Sequence, residues 1–292
     1  MAVAIPASLV WLRNEPGGPE WLERLPALVE ECAERWSLRL GAPCPDAHVS
    51  FVAPASTPDG STAILKINIP HEESEHEADA LRHWDGRGAV RLVADDRSRN
   101  ALLVERCRPG WQLWAVADEE EGNRHAAAVL RRLWRPAPDE HSFRPLSDAA
   151  ACWAEQLPLR WRQTGRPYER SLLEEAVDFL REAGPDQRDP VVLHQDFHGG
   201  NVLRADREPW LAIDPKPLVG EREFDTASLL RDRRWELRRE PQPEGRLRRR
   251  LDHLHAELGL DRARMRGWAV AHALAWDPDE TMIACARWLA AA

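Results

Sequence analysis

With 292 residues, the chain is long enough for one large domain or two lobes around a real core. A formal net charge of −9, with a pI near 5.7, weighs against nucleic acid and anionic membrane as partners and suits a cationic small molecule. Cys32, Cys44, Cys107, Cys152 and Cys285 form neither a CxxC pair nor a zinc spacing with histidine, no apolar stretch approaches the ~18–20 residues of a membrane span, and residues 1–5 lack the charged start of a signal peptide. The expectation is a cytoplasmic monomer with reduced thiols.

In chain order, the first 25 or so residues, with Trp11, Trp21 and Leu25, read as an N-terminal helix. A strand-rich stretch follows, with β-prone runs at 36–40, 49–53, 62–69, 89–94 and 101–106 between Pro, Gly and Asp turns, and one helix inserted at 72–84. Arg108-Pro109-Gly110 marks a boundary, which divides the chain into 1–107 and 108–292. Beyond it the period turns helical, at 113–118, 122–134, 146–156, 169–183, 231–239, 244–258 and 263–276. The fold class is therefore α+β: a small lobe of antiparallel sheet plus one helix, then a larger, mainly helical lobe.

Lys66 stands out, because of 40 basic residues only Lys66 and Lys216 are lysine. In the run 62–69, Ala63, Leu65, Ile67 and Ile69 share one face, so Lys66 projects from the other. The helix at 72–84 carries five acids; Glu77, Leu81 and Trp84 share a face at i, i+4, i+7, with Glu73 one turn earlier. A strand lysine that pairs with nucleotide phosphates and a helix glutamate is half of a kinase-like nucleotide site. Glu77 is the expected partner and Glu73 the reserve; the plain alternative is a solvated acidic helix beside a strand-edge lysine.

The second half is His194-Gln195-Asp196-Phe197-His198-Gly199-Gly200-Asn201, with Asp214 thirteen residues on. An aspartate, an asparagine five positions later and a further aspartate have the base-and-metal spacing of kinase-like phosphotransferases. There the first Asp orients a hydroxyl and accepts its proton, while the Asn and later Asp hold Mg²⁺. The context fits. The apolar run 191–193 delivers the loop, Gly199-Gly200 supplies freedom to turn, and the run 210–213 carries Asp214 back to Asn201 as a hairpin. One amide and one carboxylate oxygen suit Mg²⁺, which takes few protein ligands. Lys216, held between Pro215 and Pro217 near the metal site, is divided between contact with phosphate or substrate and plain exposure, with exposure preferred.

Together these residues resemble the aminoglycoside phosphotransferase family, in its streptomycin 6-kinase and hydroxyurea phosphotransferase branch. The likeness runs through Ala63-Ile64-Leu65-Lys66, residues 75–81, Leu103-Val104-Glu105-Arg106-Cys107-Arg108-Pro109-Gly110, residues 194–201, Ala212-Ile213-Asp214-Pro215-Lys216-Pro217 and Glu223-Phe224-Asp225. It spans residue 36 to the C-terminus. The resemblance implies a two-lobed protein-kinase-like fold and transfer of the ATP γ-phosphate to a hydroxyl of a small acceptor such as streptomycin. It implies Asp196 as catalytic base, Asn201 and Asp214 as Mg²⁺ ligands, Lys66 with Glu77 as phosphate clamp, Glu105 to Cys107 as the hinge that meets adenine, and Asp225 as the brace of the catalytic loop.

Three departures bear on it. Gln195 and Gly200 stand where the family commonly has a small residue and a proline. Residues 40–49, where a phosphate loop belongs, hold only Gly41. Pro215-Lys216 replaces the Phe-Gly of protein kinases, which favours small-molecule work. Two other readings stay open: a nucleotide-binding module without activity, and a metal-dependent hydrolase using His194, Asp196 and His198.

Two further features need placing. Nine arginines lie between 231 and 250, interspersed with acids, and read as a salt-bridged helical surface rather than a nucleic-acid face. Of the 14 tryptophans, Trp21, Trp36, Trp134, Trp153, Trp268 and Trp288 are expected in the core, while Trp111 and Trp114 are divided between core and cleft, with core favoured. Carboxylates for a cationic acceptor are sought among Glu155, Glu174, Glu175, Asp277, Asp279 and Glu280.

Overall fold

The computed structural model describes residues 5–276 and 278–292; residues 1–4 and Asp277, both invoked above, lie outside it. The chain divides into two compact units between Gly110 and Trp111.

The first unit begins with a 3-10 turn, Ala7–Asn14, and helix α1, Gly18–Arg35. Trp21, Leu25, Leu28 and Cys32 recur at helical spacing and are all buried, so α1 runs ten residues further than expected. Trp36 caps it and Ser37 turns with φ +51°, which leaves only Arg39–Leu40 of the anticipated first strand as β1. Strands β2 (Ser50–Ser56), β3 (Thr62–Asn68), β4 (Leu92–Asp96) and β5 (Ala101–Glu105) complete an antiparallel sheet of order β1-β2-β3-β5-β4. Ala63, Leu65 and Ile67 enter the core shared with α1, while Lys66, paired with Val52 and Leu102 in the register, takes the opposite face.

The helix expected at 72–84 is broken. Glu72–Ser74 forms a 3-10 turn and α2 spans Glu77–Trp84. Local side-chain bonds compete with helical ones here: His71 Nδ1 accepts from Glu73 N at 3.2 Å, and Ser74 Oγ donates to His71 O at 3.0 Å. The break places Glu77 in the first turn of α2, where a carboxylate is favoured.

The second unit holds α3 (Glu119–Leu133), β6 (Arg144–Pro145), α4 (Leu146–Gln163), α5 (Arg170–Ala183), β7 (Val191–Leu193), β8 (Val202–Arg204), β9 (Trp210–Ala212) and β10 (Leu218–Gly220). Helices α6 (Arg222–Leu230), α7 (Arg234–Leu237), α8 (Pro243–Leu258), α9 (Arg262–Ala275) and α10 (Glu280–Ala290) follow. α9 is buried from Gly267 to Ala275 and packs against α4, α5, α6, α8 and α10. β8 and β9 form the expected hairpin; β6, β10 and β7 form a small mixed sheet.

α6 and α10 were not expected. Residues 223–230 are all buried, so α6 has no solvent face to give it an amphipathic period. Its Asp225 meets the loop at His194, as the resemblance implies, and its polar Thr226 and Ser228 are also bonded inside. The stretch 113–118 supplies only a 3-10 turn, Leu113–Ala115, and 231–239 contracts to the single turn α7 after Arg233 at φ +54°.

Trp21 and Trp268 are core residues, whereas Trp36, Trp134, Trp153 and Trp288 are only half-buried. In the arginine-rich segment, Arg246 bridges Glu119 and Glu236 at 2.6 Å each, and Arg250 reaches Glu119 at 2.7 Å. All five cysteines are free, and no helix among the described residues is long and apolar enough to cross a membrane.

Candidate active site

In the first unit, Lys66 Nζ lies 2.7 Å from both carboxylate oxygens of Glu77. Asn68 Nδ2 donates to Glu77 Oε2 at 2.8 Å and is itself fixed by Ser50 Oγ, which donates to Asn68 Oδ1 at 2.6 Å. The lysine and glutamate side chains are 9% and 3% exposed. Glu77, not Glu73, is therefore the residue that meets Lys66; Glu73 stands near His71. At the end of β5, Glu105 Oε2 accepts from Arg91 N at 3.0 Å, and half-buried Cys107 follows two residues later. That bond ties the Glu105 side chain to the segment just before β4.

In the second unit, β7 ends at Leu193 and the chain turns at His194 on the Asp225 carboxylate. His194 N donates to Asp225 Oδ1 at 2.8 Å, Gln195 N to the same oxygen at 2.8 Å, and Trp134 Nε1 to Oδ2 at 3.1 Å. Gln195 holds φ +65°, a left-handed conformation that these bonds enforce. Gln195 is only 2% exposed and does not line the cavity described below. His194 Nε2–H donates to Ile213 O at 2.9 Å, and His194 O accepts from both Asp196 N (2.8 Å) and Lys216 N (3.0 Å). The loop and the stretch after β9 are thereby stitched together.

The glycines of the loop serve a different purpose from the one read in the sequence. Neither Gly199 nor Gly200 has a positive φ. A Cβ at either would stand 2.6 Å from the Trp114 ring, which lies stacked on His198 with centroids 5.5 Å apart. Asp232 holds that arrangement: Oδ1 accepts from Trp114 Nε1 at 2.7 Å and Oδ2 from Gly199 N at 2.7 Å. Close approach, rather than turning freedom, is why only glycine fits. Trp114 is thus a wall of the site and not a core residue, and Trp111 is 65% exposed.

Asn201 N donates to His198 O at 2.9 Å, and Asn201 Nδ2 donates to Asp196 O at 3.0 Å, which leaves the amide oxygen as the ligand end. Ile213 N donates to Asn201 O at 2.9 Å, extending the β8–β9 pairing, so Asn201 and Asp214 come to the same end of the hairpin. Asp214 is half-buried with φ +59°. An amide oxygen and a carboxylate at one hairpin end fit a hard cation such as Mg²⁺.

Lys216 requires a correction. Read as exposed, it lies instead with Nζ 3.0 Å from Asp196 Oδ2, its side chain 20% exposed. The cause is the backbone bond from Lys216 N to His194 O, with Pro215 buried beside it, which aims the side chain across the loop. His198 Nε2 stands 3.6 Å from Asp196 Oδ1. Burial alone would push the Asp196 carboxyl up, but the Lys216 ammonium and then His198 outweigh it and hold the group below the ordinary aspartate range. The flanking prolines were the available signal; a count of only two lysines was the other.

Asp196, His198 and Lys216 open on a cavity of about 470 Å³ walled by Trp114, Trp235 and Trp276. Of the carboxylates sought for an acceptor, Asp279 borders it; Glu174 is paired with Arg170 and Glu175 with Arg266, and neither they nor Glu155 and Glu280 line it. Asp232, which the sequence did not single out, does. His194 is buried with Nε2 committed to Ile213, a poor fit to an open hydrolase metal site, and no group of three or more His, Cys, Asp or Glu suited to a metal occurs among the described residues.

The buried pair behind the loop carries a pH signature. Burial pushes the Asp225 carboxyl up to about 6, against its three donors, and drives His194 down to about 4. The His194 contribution to stability is complete above its unfolded value of 6.5 and is lost as pH falls toward 4; that of Asp225 is complete below 3.8 and is lost as pH rises through about 6. The slopes oppose one another, so wild-type stability changes little from this pair between them. Asp225→Asn removes one slope. Urea titrations from pH 6.5 down to 4 should show the gap between wild type and variant widening toward acid; a constant gap contradicts the assignment.

A family model described as aminoglycoside/hydroxyurea antibiotic resistance kinase matches residues 35–277. The chain is 38% identical over 268 residues to a streptomycin 6-kinase of Streptomyces glaucescens, covering 90% of this chain and 86% of that protein. It is 36% identical over 291 residues to a hydroxyurea phosphotransferase of Kitasatospora aureofaciens, covering 97% and 82%. Among solved structures, choline kinase LicA from Streptococcus pneumoniae superposes with a TM-score of 0.60 at 12% identity, covering 92% of this chain and all of that one. The aminoglycoside phosphotransferase APH(3'')-Id from Streptomyces rimosus, in complex with ADP and streptomycin, gives 0.57 at 17% identity, covering 88% and 99%. These structures show that the fold is kinase-like: an antiparallel-sheet unit followed by a helical one. With most of its length matched by the family model, the chain belongs to the aminoglycoside/hydroxyurea antibiotic resistance kinases.

Proposed function

We propose that the protein is an ATP- and Mg²⁺-dependent O-phosphotransferase that moves the γ-phosphate of ATP to a hydroxyl of a small, cationic acceptor, an aminoglycoside such as streptomycin. The observation that supports it most directly is the Asp196 carboxylate, fixed by Lys216 at the edge of a cavity, with Asn201 and Asp214 at one end of the adjoining hairpin. Asp196 orients the acceptor hydroxyl and takes its proton as the oxygen bonds to the γ-phosphorus and the bond to the ADP oxygen breaks. Asn201 and Asp214 hold Mg²⁺, which supplies positive charge to the phosphate oxygens when bound. Lys66, oriented by Glu77, binds the phosphates of the nucleotide, and the backbone from Glu105 to Cys107 binds adenine. The aromatic walls suit the apolar face of a sugar ring, and Asp279 at the border is the carboxylate proposed to meet a cationic group of the acceptor. A reaction that consumes ATP, together with five free thiols, fits the cytoplasm.

Incubating the purified chain with Mg²⁺-ATP and a panel of aminoglycosides, streptomycin first, should give a product heavier by one phosphoryl group in the mass spectrum. A rise in melting temperature with Mg²⁺-ATP but no phosphorylated product from any acceptor would turn the reading toward a nucleotide-binding module.

A further inference from the structure

Lys216 is held from two sides. Its ammonium donates to Asp196 Oδ2 at 3.0 Å and lies 4.5 Å from the centre of the Trp276 ring. Trp276 follows the last turn of α9, with its N–H bonded to His272 O at 3.1 Å, and Arg160 Nη2 donates to the carbonyl of the preceding Ala275 at 2.9 Å. The Trp276 ring meets the His272 imidazole edge to face with centroids 4.5 Å apart. His272 is fully buried, and its Nδ1 accepts from Arg231 Nη2 at 2.8 Å, so the ring behind Trp276 is itself fixed. Burial drives His272 well below the ordinary histidine range, which keeps it neutral and able to accept that bond.

A lysine on its flexible stem loses rotamer freedom when it is held at one carboxylate, and the partial exposure of this one offers water as a competing partner. The face of an indole attracts an ammonium and restricts where it can go. Trp276 is only half-buried, borders the same cavity as Asp196, and offers its face to Lys216, an arrangement that simple core packing does not require.

We propose that Trp276 is a positioning residue of the phosphotransfer site: its ring holds the Lys216 ammonium on Asp196 Oδ2, which keeps the carboxylate in one rotamer and leaves Oδ1 for the acceptor hydroxyl. The inference rests on the function proposed above, and its test separates the two. Trp276→Leu lowers kcat with streptomycin on the order of 10–100-fold at unchanged KM for ATP, since small misplacements of a reacting group cost about that much. Trp276→Phe, which keeps a π face, recovers most of it. A Leu variant at wild-type kcat overturns the proposal, as does a Phe variant no faster than the Leu one.

A second readout needs neither acceptor nor turnover. Because the chain has two lysines, isotope-labelled lysine gives two sets of side-chain signals in the full-length protein, assigned through Lys216→Arg. The ε-protons of Lys216 resonate upfield in wild type and in Trp276→Phe, from the ring current, and return to the free-lysine position in Trp276→Leu. An unshifted Lys216 signal in the wild type overturns the proposal even where the Leu variant fails to fold. A wild type with a shifted signal that phosphorylates no aminoglycoside leaves the packing intact and removes only the acceptor assignment.

Discussion

Asp196→Ala will lower turnover by about 10²–10⁴ while leaving the affinity for Mg²⁺-ATP close to that of the wild type, because positioned proton acceptors contribute gains of that size. The separation follows from where the carboxylate lies. Asp196 meets Lys216 and faces the cavity, whereas the groups proposed to hold metal and nucleotide are other side chains. Removing the carboxylate does not strand a deeply buried charge, since Lys216 is 20% exposed and keeps the Trp276 face. The fold should therefore survive with little loss. Single-turnover kinetics together with calorimetric titration of nucleotide separate the two effects; a variant as fast as wild type removes Asp196 from the role of base.

Lys66→Met has a different signature, because it strands its partner. Glu77 is 2% exposed and loses the ammonium that faces both its oxygens, and breaking a buried ion pair from one side costs about 3–5 kcal/mol. Replacing both charged groups, as in the double variant Lys66→Met with Glu77→Gln, removes the stranded carboxylate and should restore most of that stability. Turnover should not recover with it. A cation aimed at phosphate charge contributes on the order of 10²–10³ to rate, and the double variant lacks it as fully as the single one. Urea denaturation of the four proteins gives the coupling, and initial rates at saturating ATP give the catalytic loss. Recovery of activity along with stability would mean that Lys66 serves the fold and not the nucleotide.

The parts of this molecule that were legible in sequence are those whose signal is local. Alternation in β3 placed Lys66 on the face opposite the core, and helical spacing narrowed five acids to Glu77 with Glu73 in reserve. The hairpin that brings Asn201 to Asp214 was legible from two apolar runs and the turn between them. What was missed depends on distant contacts. Helix α6 hides its helical character because every residue from Glu223 to Leu230 is buried, and polar side chains there serve the loop around His194. The destination of Lys216 is set by a backbone bond to a residue 22 positions earlier and by a ring 60 positions later. Trp114 and Asp232 lie 118 positions apart, and no periodicity links them.

The contact between Trp114 and the paired glycines has a bearing on how such a chain can diverge. With no room for even a methyl group beneath the indole, mutational drift at 199 or 200 is closed until position 114 shrinks, and a smaller residue at 114 loses the hold on His198 unless the loop thickens in return. The three positions form a single heritable unit. A relative that carries proline at 200 is expected to differ at 114 as well, with a differently shaped cavity wall.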